Sequence, residues 1–256
     1  MKFAITPCPN DTFSYFAMIG GKVDSPAEFV FDDIESLNLA AREGKYEITK
    51  MSFAAFLENS DKYELLDAGA ALGIGTGPVL VGKKGAKFGL GKPVAVPGLN
   101  TTAALLLRFF CMADIDMRPM YFRDIAGAVA SSEIDFGVLI HEGRFVYRQM
   151  GLELFEDLGD FWTKSTSLPV PLGCICVRKD CAAMKAEIER LIRESVRWAF
   201  ANEEQTLPFV RQNAQYLAED VLRRHIYAFV NDYSYDISPI REKLLYNLEK
   251  CKGNKK

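Results

Sequence analysis

The sequence predicts an α/β protein folded as two lobes about a cleft, and three observations carry that expectation. Short β-branched runs alternate with amphipathic helical stretches from the first residues onward, the pattern of a parallel sheet with covering helices. Near Gly73 to Gly77 the texture changes, and after a charged, glycine-rich crossing over Lys83 to Lys92 a second strand-helix unit begins at Val94. Pro169-Val-Pro171 then imposes a stiff extended return, because proline fixes its own φ and restricts the residue before it. Lobe one is expected over residues 1–85 and 172–256, and lobe two over 86–171. With 256 residues, 49% of them hydrophobic and 25% charged, the chain is long enough to bury a full core.

In the first lobe, Lys2 to Thr6 reads as a strand, and Pro7-Cys8-Pro9-Asn10-Asp11 as a rigid turn whose end caps a helix from about Thr12 to Ile19. Gly20-Gly21 stops that helix. A strand near Phe29 to Asp32 follows, then Asp33 opens a helix with Leu37, Ala40 and Ala41 on one face, ended by Gly44. Tyr46 to Met51 is again strand-like, and Ser52 is placed to cap a helix from Phe53. Pro78 to Gly82 reads as a further extended strand.

The second unit holds a strand at Val94 to Val96, the turn Pro97-Gly98-Leu99, and Asn100-Thr101-Thr102 heading an apolar helix, Ala103 to Met112. Tyr121-Phe122 suggests a strand, Asp124 to Ala130 a helix, and Asp135 to Ile140 a buried strand ending in a turn. After the aromatic segment with Tyr147, Phe155, Phe161 and Trp162, Cys174 to Arg178 would rejoin the first sheet. The rest is helical over Met184 to Asn202, about Ala218 to Asn231, and Pro239 to Lys250, with a tail after Cys251 expected to fray.

The composition excludes several classes. A net charge of −3 with scattered lysines and arginines argues against a nucleic-acid stripe or a membrane-surface helix. Met1-Lys2 leads into too short an apolar run for a signal peptide, and no span approaches eighteen apolar residues. Six cysteines without a C-x-x-C read as reduced thiols of a cytoplasmic protein. Gly73-Ile-Gly-Thr-Gly-Pro78 lacks both the lysine of a phosphate loop and G-x-G-x-x-G spacing, so it carries no nucleotide meaning.

Within Asp135-Phe-Gly-Val-Leu-Ile-His-Glu-Gly-Arg144, a strand delivers His141 to the carboxyl edge of a sheet, where open α/β sheets gather ligands. No partner stands near it at metal-ligand spacing, so an imidazole used for proton transfer fits better than a metal ligand. Asn100, Thr101 and Thr102 at a helix start suit a carboxylate or phosphate, or serve as plain caps. Asn10 and Asp11, at the end of the first strand, are placed by topology at the same cleft. His225, beside two arginines, reads as a surface or helix-packing residue. Glu142 and Arg144 would orient His141, close the cleft, or form an ion pair with each other or with other lobes. Phe161 and Trp162 would stack on a substrate or pack the core. Two α/β lobes joined by two crossings follow the plan of type II periplasmic-binding-protein folds, with a small ligand enclosed between them.

Several phrases together resemble one family. Thr6-Pro-Cys-Pro-Asn-Asp-Thr-Phe13, Lys50-Met-Ser52, Gly77-Pro78, Pro97-Gly-Leu-Asn-Thr-Thr-Ala-Ala104, Gly137-Val-Leu-Ile-His-Glu-Gly-Arg144 and Pro169-Val-Pro-Leu-Gly173 look like the 1,4-dihydroxy-6-naphthoate synthases of the futalosine route to menaquinone. The resemblance implies a carbon–carbon lyase that converts cyclic dehypoxanthinylfutalosine to the naphthoate and a three-carbon sugar fragment, with no metal or organic cofactor. It implies His141 as proton acceptor, with Lys50, Met51, Ser52, Thr101 and Thr102 lining the substrate site. The partner expected is a small-molecule substrate, neither nucleic acid nor membrane, and a homodimer is left open. Three alternatives stand beside this reading. A solute-binding protein should carry a leader, a regulator's effector domain needs a basic helix-turn-helix, and the sister chorismate dehydratase of the same pathway shares the fold but not the H-E-G-R phrase.

Overall fold

A computed structural model describes residues 1–214 and 218–253. In chain order the elements are β1 Lys2–Ile5, α1 Pro9–Ile19, β2 Glu28–Phe31, α2 Ile34–Arg42, β3 Ile48–Ser52, α3 Phe53–Asn59, β4 Tyr63–Leu65, β5 Ala71–Gly73, β6 Val79–Lys83, β7 Val94–Val96, α4 Thr102–Cys111, β8 Met117–Pro119, α5 Phe122–Ser131, β9 Phe136–Leu139, α6 Gly143–Val146, β10 Leu152–Asp157, α7 Leu158–Thr166, β11 Val170–Arg178, α8 Lys185–Ala201, α9 Glu203–Asn213, α10 Glu219–Phe229, α11 Asp232–Tyr235 and α12 Arg241–Gly253.

The strands form two sheets, one per lobe. The first runs β2-β1-β3-β11-β4 with β5 also on β11, and the second runs β10-β6-β9-β7-β8. β1 pairs in parallel with β2 and β3, as the strand-helix alternation requires, while β11 returns antiparallel to β3. In the second sheet β7 pairs in parallel with both β8 and β9, and β6 and β10 return antiparallel.

Sheet membership moves the crossings from where the sequence suggested them. β6 already belongs to the second sheet, so the chain first crosses at the glycine-dense segment after β5, not at Lys83 to Lys92. It returns between β10 and β11, and Val170 to Arg178 is one strand in which Pro171 sits at a register shift against β5. A proline without an N–H is tolerated at such a bulge. Local differences have equally local causes. α1 begins at Pro9, a proline in the first turn, so Asn10 and Asp11 lie inside the helix and no side chain caps it. Phe122 opens α5 where a strand was expected, and the strand is β8, which lies upstream. α9 encloses Pro208, whose presence hid the helix from pattern reading. Of the tail, Lys252 and Gly253 belong to α12, and residues 254–256 lie outside the described residues.

One apolar cluster runs through both lobes, joining Met51, Phe53 and Phe56 of the first to Val94, Leu106 and Phe136 of the second, with Leu244 and Leu248 of α12 packed into it. α1 and α8 cover the other face of the first sheet, and α5 covers the second. The lobes are also clasped by polar contacts. Asn100, just before α4, donates from Nδ2 to Glu35 Oε1 at 2.5 Å, and its carbonyl accepts from Asn38 Nδ2 at 3.4 Å. Arg42 donates to the Asn100 side-chain oxygen. Next to it, Gly98 has φ of 151°, and a Cβ there would lie 2.3 Å from Glu35 Cδ. Only glycine allows that approach. Gly98→Ala is therefore expected to wedge the lobes apart, with Asn100→Ala giving a weaker form of the same effect. Small-angle scattering should show a larger radius of gyration than wild type for G98A, and an unchanged radius would show the contact to be dispensable.

Candidate active site

Between the lobes lies a partly open cleft lined by residues of both sheets, the place where a fold of this plan takes a small ligand. Most of its wall is apolar, contributed by Ile34, Pro78, Ile140, Leu172 and Phe229. Polar groups enter from both sides: Thr6, Asn10, Lys50, Ser52 and His225 from the first lobe, and Thr101, Thr102, His141 and Arg144 from the second.

His141 follows β9 with φ of 52°, one of four non-glycine residues at positive φ among those described. The left-handed turn carries its ring back over the strand end toward the first lobe. There Nε2 stands 3.3 Å from the Cys8 Sγ, and Phe122 meets the ring edge-on with centroids 5.0 Å apart. Though the ring keeps partial contact with solvent through the cleft, its pKa is pushed down to about 3. Burial is the main cause, and the Lys50 and Arg123 charges add to it. An imidazole in water titrates at about pH 6.5. The fold instead holds a neutral one throughout the physiological range.

Lys50 forms a buried ion pair with Asp11, both side chains almost wholly out of solvent. Asp11 is further satisfied by the Thr6 hydroxyl at 2.6 Å, the Thr6 N–H at 3.1 Å and Asn10 Nδ2 at 2.7 Å. Asp11 thus stands behind the cavity wall as the support of Lys50, and is not itself among the lining residues. Met51 is placed differently from expectation. Side chains alternate along a strand, so Lys50 and Ser52 share the cavity face of β3 while Met51 turns into the core with no exposure.

The hydroxyl-bearing residues divide by the bonds they already make. Ser52 occupies the N-cap position of α3 but makes no side-chain cap; its Oγ accepts from Asn38 Nδ2 at 3.2 Å and its N–H donates to Asn38 Oδ1 at 2.8 Å. Thr101 is a true cap, accepting from the Ala104 N–H and donating to the Gly98 carbonyl. Thr102 bridges the lobes, donating to the Leu172 carbonyl at 3.1 Å and accepting from the Ala54 N–H at 3.3 Å. As the first residues of α4, Thr102 and Ala103 have N–H groups that the helix does not use, and both residues line the cavity.

His225 is the residue that sequence reasoning missed. It is wholly buried, lines the cavity, and stands with its ring centroid 6.0 Å from that of His141. The available signal was periodicity, because Leu222, His225, Ile226 and Phe229 fall at helical spacing and share the buried face of α10. Arg144 pairs with Asp157 at 2.9 Å and donates to the Gly77 carbonyl, so it pins the first crossing. Glu142 is buried, and its charge lies close enough to Cys8 to help keep that thiol protonated, after burial itself. Trp162 is fully buried and donates to the Pro169 carbonyl, which makes it a core residue. Among the described residues no group of three or more His, Cys, Asp or Glu is arranged to hold a metal, and no helix is long and apolar enough to cross a membrane.

Burial lowers the pKa of His225 as well, with His141 and Lys50 adding to it. For a histidine depressed in the folded state, the unfolded chain binds a proton that the native one rejects. The stability owed to these neutral rings is therefore complete above about pH 6.5 and lost as pH falls below it, by at most about 1.4 kcal/mol per pH unit for each ring. The melting temperature is expected to drop between pH 7 and pH 5, and less steeply in His225→Phe. A melting temperature flat over that interval would contradict the assignment.

Comparison with known proteins follows the same lines. A family model described as menaquinone biosynthesis matches residues 1–251. The chain is 38% identical over 251 residues to the 1,4-dihydroxy-6-naphthoate synthase of Thermus thermophilus, covering 97% of this chain and 92% of that protein. It is 35% identical over 245 residues to the enzyme of that name from Streptomyces coelicolor, covering 93% and 87%. A crystal structure of an Archaeoglobus fulgidus protein, 38% identical, superimposes with a TM-score of 0.92 over 98% of this chain and 97% of that one. The ligand-binding component of an ABC-type import system from Staphylococcus aureus, 14% identical, matches with a TM-score of 0.70 over 98% and 90% of the two chains. A Candida albicans protein described as having the generic periplasmic binding protein fold, 12% identical, gives 0.72 over 98% and 90%. The two-lobed architecture is thus periplasmic-binding-protein-like, and by the match along nearly its whole length the chain belongs to the menaquinone biosynthesis family.

Proposed function

We propose that this chain is a 1,4-dihydroxy-6-naphthoate synthase, a carbon–carbon lyase that converts cyclic dehypoxanthinylfutalosine to 1,4-dihydroxy-6-naphthoate, with His141 as the general base. The observation that carries the reading is a neutral imidazole delivered to the cleft between the lobes, in a chain 38% identical to a relative of that name.

Cleaving a carbon–carbon bond beside a carbonyl requires a proton to be removed and the developing oxyanion to be stabilised. His141 takes the proton. A ring kept unprotonated needs no prior deprotonation at neutral pH. The anion-binding role falls to the N–H groups of Thr102 and Ala103 at the positive end of α4, because the wall's Lys50 is already neutralised by Asp11 and Arg144 by Asp157. Ser52 presents its hydroxyl beside them. Closure of the lobes excludes water, so these dipoles act at full strength. Thr102 couples the two functions, since its hydroxyl clasps α3 and β11 of the opposite lobe while its N–H, in the first turn of α4, is left unused by the helix.

Incubating the purified protein with the cyclic substrate and following the naphthoate by mass spectrometry tests the activity; return of the compound unchanged would point to a binding protein instead. His141→Ala is expected to lower kcat by about 10²–10⁴-fold, the usual contribution of a positioned base, while substrate binding stays measurable. Near-normal kcat in that variant refutes the base. Thr102→Val, which loses both interlobe bonds, is expected to weaken substrate binding by about 1–3 kcal/mol, as read by titration calorimetry. An unchanged dissociation constant would show that the interlobe bonds of the Thr102 hydroxyl are dispensable for binding.

A further inference from the structure

Two imidazoles meet in the cavity, and the reaction as derived uses only one. Only two histidines exist in the chain, and they come from opposite lobes, His141 after β9 and His225 in α10. The hydrogen bonds around His225 settle which of its nitrogens holds the proton. Asp11 pairs with the Lys50 ammonium and accepts from Thr6, and as a carboxylate it offers only acceptors. The Asn10 amide atom 2.7 Å from Asp11 must therefore be the donor Nδ2, which turns Asn10 Oδ1 toward His225. That oxygen lies 2.9 Å from His225 Nε2 and can only accept, so Nε2 carries the hydrogen. By elimination Nδ1 carries the lone pair.

This Nδ1 has no hydrogen-bond partner, and the ring that bears it is fully buried in the cavity wall. A buried acceptor left unpaired is costly, on the order of 1–3 kcal/mol. His141 and Phe145 of the second lobe face this ring across the cleft, with centroids 6.0 and 6.5 Å from its own, so the ring lies where the two lobes meet. A lone pair in that position repels a carboxylate and has nothing to donate to a carbonyl. It recognises an O–H.

Resting on the functional reading above, we infer that His225 is a second substrate-binding imidazole of the site, locked by Asn10 and Asp11 with Nε2–H turned into the protein, so that Nδ1 accepts a hydrogen bond from a hydroxyl of the enclosed substrate. Asn10 and Asp11 are then positioning residues. Their line from Lys50 through Asp11 and Asn10 to His225 sets the tautomer without touching the substrate at Nδ1.

The test uses the scarcity of histidine. In protein labelled with ¹⁵N-histidine only two ring systems are visible, and the one lost in His225→Gln belongs to His225. At neutral pH it is expected to show a protonated-type resonance at Nε2 and an unprotonated-type resonance at Nδ1; the reverse pattern overturns the inference whatever the activity. Glutamine can still donate from Nε2 to Asn10 Oδ1 but has no atom in place of Nδ1. H225Q is therefore expected to keep the wild-type melting temperature and to lose about tenfold in kcat/KM, mostly through a higher KM, the size of one hydrogen bond left unmade. A wild type that cleaves the cyclic substrate beside an equally active H225Q overturns the inference alone. A wild type that leaves the substrate untouched overturns the functional reading and this inference together.

Discussion

The site is built on one buried ion pair. Lys50 and Asp11 are both removed from water, and such a pair is tolerated only where every remaining lone pair and proton is met. Asp11 meets that condition through Thr6 and Asn10, and each of those contacts has a consequence at the cavity surface. Thr6 is drawn against the start of α1, next to Cys8 and hence next to His141. Asn10 is oriented so that it can hold His225 in only one way. The stem of Lys50 lies across Gly173, where a Cβ would come within 2.7 Å of Cε, so β11 must pass with no side chain at that point. Breaking the pair from either side would leave a lone charge in an apolar wall and release both histidines from their settings.

On the proposed reading, the pair also decides how an anionic substrate would be recognised. With Lys50 and Arg144 each neutralised locally, no free cation faces the ligand from either residue. Recognition rests on backbone dipoles at the start of α4 and on hydroxyls, whose contribution grows as water leaves. That arrangement makes closure part of the chemistry. His141 and the start of α4 come from the second lobe, while Lys50, Ser52 and His225 come from the first. The apolar cluster shared through α12 and the Asn100 clasp hold the halves together around the cavity.

Much of this was legible in the sequence, and the gaps have physical causes. The strand ending at His141 was readable because Phe136 to Ile140 is apolar and β-branched and glycine follows, and the fold places that histidine at the cavity. The K-x-S phrase named the right segment, with Lys50 and Ser52 at the cavity and only Met51 turned away from it. Once β3 is known to be a strand ending at the cleft, its period of two selects Lys50 and Ser52 and sends Met51 inward. Thr101 and Thr102 look alike in sequence, yet one hydroxyl is spent on the helix and the other on the opposite lobe, a distinction only tertiary contacts make. His225 and the crossing after β5 were hidden for a related reason. A histidine beside two arginines resembles a surface residue until the partner face is known, and strands of three residues such as β4 and β5 carry too little pattern to show which sheet the chain is leaving.

The environment of His141 poses a trade that the rest of the site must answer. Lowering the pKa guarantees an unprotonated ring, but it also weakens that ring as a base, since proton affinity and pKa fall together. The positive φ adds a strain of its own, of order 1–3 kcal/mol, held in place by β9 behind the ring and Phe122 at its edge. A weak base on a strained turn is productive only if the carbon acid it meets is made more acidic than in water. The cavity can do that only by stabilising the charge that forms, through dipoles already aimed at it in a space that water has left. On this account the histidine supplies the direction of proton transfer, and most of the rate must come from the opposite wall.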